Sequence, residues 1–457
     1  MKGKQLRLLI VFLLLFAGFA LQPFPCGAAS ETNAGLDERQ RMHIFDKVWQ
    51  TIQKWYYDPT FGGVDWKAAG KDFRQRAVVA PGDEAFHALI AEMLALLNDT
   101  HTYYEPPVNY SAFARAGAAE RRFAVAEIEG QFVVTSVDPA LALQSGIRPG
   151  LVLRTINGQP VEARVRDVDA LIRRSVGLSS EKVLAFFRRQ LILRTPAEQP
   201  MILAFVDPMG NPVEARIDKA LTSRMEPPVT SRRLASELGY VRWTTWDLAL
   251  TDEIRTHLAS LGDVSGLIID LRGNQGGDPQ VAVDVLSCLF KEAVPYGLFY
   301  GRISPPKIKS HPCPHTYMGP VAVLIDGESG STSEIFANLI QENRRGLLVG
   351  QPSAASVVYH RHEEVRGGGR IFISFWGYKS PQGRRLQGTG VVADVMAEST
   401  IAGLWEGRDE ILEAAERTLK PRAVLALQYL HQPAAAPPPS PSLLGRVEEH
   451  LPSGRHR

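Results

Sequence analysis

The chain carries one local pattern twice: a short, wholly apolar run, a glycine-rich turn, and then helical periodicity. It occurs as LIIDLRGNQGGD (Leu267 to Asp278) and again as VAVLIDGESGSTSEIF (Val321 to Phe336). Each apolar run has the length of a buried strand, and after the second, Ile335, Phe336, Leu339 and Ile340 repeat with helical period. Two buried strands that each feed a helix through a tight turn confine this part of the chain to an α/β or mixed α+β domain. Strands and helices alternate from Leu238 to about Leu419, with further strands at GYVRWTTW, LLVG and RIFISFWGYKS. GxxxxGK[ST] is absent, so a P-loop nucleotide site is not expected.

Ser331 stands where the second strand turns into its helix. Free backbone N–H groups and the positive end of a helix dipole lie there, a place where an oxyanion can be stabilised. The competing reading is that Ser331 or Ser333 only caps the helix.

The rest of the chain divides into four further regions. Lys2, Lys4 and Arg7 precede an apolar run from Leu8 to Leu21 and the small residues Gly27, Ala28 and Ala29. This is a secretory signal pattern over residues 1–29, its apolar run short for a membrane span. The expected product is exported, periplasmic or secreted, without stable membrane insertion; an uncleaved anchor is the alternative. Residues 30–118 read as a helical region, with amphipathic stripes over Phe45–Asp58 and Glu84–Asp99 followed by NDTHT, which holds His101. Residues 119–220 read as short strands, with a PMGNP hairpin turn and two helical patterns between Val168 and Leu193. Residues 221–420 hold the alternating domain. From 421 to 457 the chain is rich in Pro and Ala and predicts a disordered tail.

Composition is that of a globular protein, 45% hydrophobic and 22% charged. A net charge of +2 with no interleaved basic and aromatic run gives no reason to expect nucleic acid as a partner. Of three cysteines, Cys26 leaves with the signal; an oxidising compartment permits a Cys288–Cys313 disulfide, but spacing alone does not establish one. HPCPH (His311 to His315) reads as a loop rather than a metal site, and no metal or cofactor is expected.

The phrase SGIRPGLVLRTINGQPV (Ser145 to Val161) resembles the core of PDZ domains, which bind extended peptides along a sheet edge. The order of helical region, DTHT, PDZ phrase, GYVR, DLRGNQGG, GSTSE, LVGQP and RRLQGTGV resembles the C-terminal processing, or tail-specific, serine proteases up to about Ala397. The helical region and NDTHT are similar to the tricorn-like branch. The resemblance implies a helical N-terminal region, a PDZ-like β domain and a ClpP/crotonase-like serine protease core. It makes Ser331 the nucleophile and places Gly276, Gly277 and Thr332 around an oxyanion hole, with Tyr240 and Arg242 near the substrate cleft. It also implies a protein or peptide substrate with an exposed C-terminal tail.

In one respect the chain departs from the family. Where Ser–Lys members carry their lysine this chain has Ser356, and His360 falls near a family glutamine. A serine cannot serve as the base that a desolvated lysine can be, which excludes the Ser–Lys mechanism in its usual form. The tricorn-like branch implies a histidine base instead, and His101 matches it; a neutral imidazole suits the task. The branch's acidic helper falls near Gln387, which can hold a histidine but cannot stabilise an imidazolium as a carboxylate does, so reduced activity is expected. The competing reading of His101 is a histidine against a helix C-terminus. The expected function is an exported serine endopeptidase acting through an acyl-enzyme on Ser331 with His101 as base. The alternatives are an inactive relative that binds peptides, and, more weakly, an esterase, which lacks the GxSxG elbow here.

Overall fold

The computed structural model describes residues 35–107, 111, 122–195, 199–218, 227–262, 264–305, 308, 311–313 and 315–419. The signal segment and the Pro/Ala-rich tail lie outside the described residues.

The N-terminal stripe folds as predicted into helix α1 (Glu38–Trp55), capped by Asp37, whose side chain accepts the Gln40 N–H. It packs with α2 (Trp66–Val78) and α3 (Asp83–Ala95) around Phe45, Val48, Ile52, Trp66, Phe86 and Ile90. At Gly70 any side chain would run into the Trp49 indole, so only glycine lets α1 and α2 approach this closely. Three residues of strand β1 (Tyr103–Glu105) follow.

Residues 123–217 form an antiparallel sheet. Its strands are β2 (Phe123–Ile128), β3 (Gln131–Val137), β4 (Val152–Ile156), β5 (Gln159–Pro160), β6 (Met201–Val206) and β7 (Pro212–Ile217), in the order β2-β3-β4-β6-β7 with β5 on β4. Asn157 and Gly158, both at positive φ, make a tight Asn-Gly turn. The hairpin at PMGNP is closed by the Asp207 carboxylate, which accepts the Met209 and Asn211 N–H groups. Helices α4 (Pro139–Ser145), α5 (Val161–Ser175) and α6 (Glu181–Leu191) complete this region.

The alternating domain is a six-stranded sheet. Strands β8 (Val229–Arg233), β9 (Gly239–Trp243) and β10 (Leu267–Asp270) are followed, after the short β11 (Leu298–Tyr300), by β12 (Val321–Ile325), β13 (Leu347–Gly350) and the later β16 (Val395–Met396). Their order is β16-β13-β12-β10-β9-β8, parallel except for β8. Every residue of β10 and β12 is buried, as the unbroken apolar runs predict. Helices α7 (Thr251–Leu261), α8 (Pro279–Leu286), α9 (Thr332–Glu342), α10 (Ile401–Trp405) and α11 (Glu410–Leu419) belong to this part of the chain.

A third sheet is built on one long strand. β15 (Gly369–Lys379) pairs along one edge with β14 (Val358–Val365); on the other edge β1 meets it at Tyr103↔Phe372 and β11 at Phe299↔Tyr378. Val365, Ile371 and Ile373 enter the same apolar cluster as α1–α3, so the N-terminal helices close their core with a hairpin some 300 residues downstream. Cys288 and Cys313 are joined in a disulfide, which settles the pairing that spacing left open.

Candidate active site

Strand β12 delivers the chain to a turn laced to its counterpart after β10. The Asp326 carboxylate accepts the Gly273, Glu328 and Ser329 N–H groups, and the Ser329 hydroxyl donates to the Leu271 carbonyl at 2.8 Å. The two glycine-rich turns are thus one unit at the carboxyl ends of adjacent parallel strands, where open α/β sheets place their sites.

Ser331 occupies the N-cap position of α9 with φ 52° and ψ −115°. A non-glycine residue there stores about 1–3 kcal/mol of backbone strain, which the surroundings must hold. Two acceptors hold it: the Ser356 carbonyl and the Glu334 carboxylate both lie 3.0 Å from the Ser331 nitrogen. Gly276 faces the serine, and a Cβ at Gly276 would come within 2.6 Å of the Ser331 Cβ.

Glu334 is fully buried one turn into the helix. Besides Ser331 N it accepts the Ser353 hydroxyl at 2.6 Å, Ala355 N at 2.8 Å and Ser356 N at 2.9 Å. Burial raises its pKa to about 7, against the pull of these hydrogen bonds. Its role was missed from sequence; a lone acid among apolar helix positions beside Ser331 was the available clue. Ser333, the other cap candidate, donates to the Asn274 carbonyl and accepts the Trp246 indole N–H, a structural role.

The three residues expected around an oxyanion hole divide unequally. The Gly276 N–H is taken by the Asn274 side chain at 3.0 Å. Among the described residues the Gly277 N–H has no hydrogen-bond partner, and Thr332, first residue of α9, has no intrahelical partner for its own. These two remain available to a developing negative charge, while Gly276 contributes its missing Cβ. Gly277, Ser331 and Thr332 also border a small pocket walled by Pro279, Phe299, Ile335, Val357, Val358 and Tyr359.

His101 lies just before β1. Asp99, behind it, accepts the Thr102 hydroxyl at 2.7 Å and the His101 N–H at 3.1 Å. Burial lowers the His101 pKa to about 4 and that of His360, on β14, to about 3, so both rings are neutral at pH 7. The two rings lie 5.2 Å apart, centroid to centroid. Among the described residues no hydrogen bond joins His101 to Ser331.

The remaining predicted site residues lie elsewhere. The Gln387 amide oxygen accepts the Val357 N–H at 2.6 Å, steadying the strand next to Ser356 rather than the histidine. Tyr240 is buried and donates to Asp270 at 2.7 Å, and Arg242 approaches the same carboxylate at 3.5 Å. Both support the turn after β10 and neither borders the pocket. His311 of HPCPH meets Asp284 at 2.8 Å, and Cys313 is in the disulfide.

A serine on a strained strand-to-helix turn, beside unpaired N–H donors and an apolar pocket, is the arrangement of a serine-type hydrolase. Residues 237–397 match the model of peptidase family S41, and residues 37–95 that of the tricorn protease C1 domain. The chain is 23% identical over 369 residues to the chloroplastic C-terminal processing peptidase of Tetradesmus obliquus, covering 78% of this chain and 77% of that protein. It is 24% identical over 374 residues to the carboxyl-terminal-processing protease of Picosynechococcus sp., covering 76% and 81%. Among solved structures, the photosystem II D1 C-terminal processing protease matches with TM-score 0.54 and 21% identity over 84% of this chain and 98% of that one. Mature CPAF matches with TM-score 0.61 and 15% identity over 84% and 98%. The chain thus carries a peptidase family S41 domain preceded by a tricorn protease C1 domain, the two classes its motif order resembles.

Proposed function

We propose that this serine-type peptidase is an exported endopeptidase that cleaves unfolded or tail-exposed polypeptides through an acyl-enzyme on Ser331. The observation that carries this reading is Ser331 itself, held at φ 52° by two acceptors on its N–H and facing a glycine. In the first step the Ser331 hydroxyl oxygen attacks the substrate carbonyl carbon and its proton passes to neutral His101. The Gly277 and Thr332 N–H groups receive the oxyanion. The C–N bond then breaks as the proton moves to the leaving amine, and water releases the acyl group by the reverse sequence. The 123–217 sheet, whose central phrase resembles a PDZ domain, would recruit the substrate tail. Export rests on the N-terminal signal pattern; no helix among the described residues is long and apolar enough to cross a membrane.

The test is cleavage of casein together with fluorophosphonate labelling. Both are expected in the unmutated protein and are expected to be lost in Ser331→Ala and in His101→Ala. The second reading, an inactive peptide-binding relative, is favoured by the absence of a hydrogen bond between His101 and Ser331. It gains if the unmutated protein neither cleaves nor labels.

A further inference from the structure

Ser331 and the histidines are linked through one short stretch of chain. The Ser356 carbonyl accepts the Ser331 N–H; the next three residues, Val357 to Tyr359, wall the pocket; His360 follows. At this step the β14–β15 ladder is irregular: Tyr359 pairs with Trp376, but His360 pairs with Ser374, leaving Phe375 as an extra residue. A bulge of this kind re-aims the side chains beyond it. The irregularity puts His360 opposite Ser374, whose N–H donates at 3.0 Å to the Thr102 hydroxyl, which itself donates to Asp99 at 2.7 Å. The ring of His360 thus comes to 5.2 Å from that of His101, whose buried Nδ1 has no hydrogen-bond partner among the described residues.

We propose that the base of this site is a pair of imidazoles, with His360 as the positioning residue of His101. The inference rests on the serine peptidase reading above. When His101 takes the Ser331 proton, one proton is added to a pair of neutral rings, and the same proton leaves with the amine, so none is lost or gained over the acylation step. Asp99 faces the pair from the segment before β1, and His362 acts on it from β14 itself. His360 lies four residues after Ser356, the position at which the Ser–Lys peptidases that this sequence resembles carry their lysine.

The experiment is a double-mutant cycle on the full chain with His101→Gln, His360→Gln and both, read as kcat/KM for casein. Two groups acting as one unit are grossly non-additive. His360→Gln is expected to lose about 100-fold, carried by kcat rather than KM, within the range of general-base effects. The double variant is expected to lose no more than His101→Gln alone. Multiplicative losses, or a His360→Gln variant with unchanged kcat, overturn the proposal. A second measurement needs no turnover: NMR titration of the histidine rings. Loss of a like-charged neighbour is expected to raise the His360 midpoint in His101→Gln; an unmoved midpoint overturns the pair. Fluorophosphonate labelling separates the two levels. A labelled Ser331 with independent histidines sinks only the pair, whereas an unlabelled Ser331 sinks the peptidase reading and leaves the titration to judge the pair.

Discussion

Ser331 is tolerable in its strained conformation because its neighbours are small or are acceptors. Gly276→Ala adds a Cβ at φ 110° and within 2.6 Å of the Ser331 Cβ. We expect it to cost about 1–3 kcal/mol and to abolish fluorophosphonate labelling; labelling at the unmutated rate in a folded variant would contradict the packing described. Glu334 makes a prediction with a sign. Its pKa is raised from an ordinary 4.5 to about 7, so between those values the native protein keeps a proton that the unfolded chain has released. The stability tied to this proton is complete below pH 4.5 and is lost as pH rises through 7. Relative to Glu334→Gln, the unmutated protein should lose about 3 kcal/mol across that window. Urea midpoints at pH 4.5, 6 and 7.5 measure it, and parallel curves for the two proteins would refute it. Ser331 and the glycines facing it were legible in the sequence because turn chemistry is local. Glu334 and His360 were not, because their meaning comes from Ser353, Ala355, Ser356 and Asp99, which only the fold brings to them. Gln387 shows the converse: position along the chain suggested a partner, and the folded chain gave it the Val357 amide instead.

Among the elements, the long apolar or strictly periodic segments were readable. α1, α3, β10, β12 and β15 fall where periodicity put them, since each buries a face that its own sequence defines. β1, β8 and β11 were not, being short strands with no period of their own that exist through pairing with β15 or β9. β11 carries Phe299 into the pocket wall, and it lies in the loop closed by the Cys288–Cys313 bridge, 25 residues apart in sequence. Closing a loop of this length stabilises by about 3 kcal/mol in the chain-entropy model. Cys313→Ser is therefore expected to lower the melting temperature by several degrees and to raise KM more than it lowers kcat. An unchanged melting temperature would mean that the β11–β15 pairing alone holds the loop.

For the whole molecule, the succession of helical region, β region and alternating domain was evident from composition and motif order. Their interdependence was not, because no local pattern shows that Val365, Ile371 and Ile373 complete the core of α1–α3. A chain beginning at residue 122 would expose these three side chains and lose β1 from the edge of β15. It is expected to aggregate, with size-exclusion chromatography as the check; a soluble monomer would show the helical region to be dispensable. The pairing of β1 with β15 also has a temporal consequence. Tyr103 and Phe372 are neighbours in the sheet, yet the ribosome makes them more than two hundred residues apart. On the proposed mechanism, the segment that carries His101 is not locked into this sheet until β15 has been made, when nearly all the described chain has been synthesised. On that reading the nascent polypeptide has no peptidase activity, and the lateness of one strand pairing acts as a clock on when the proposed site can first form.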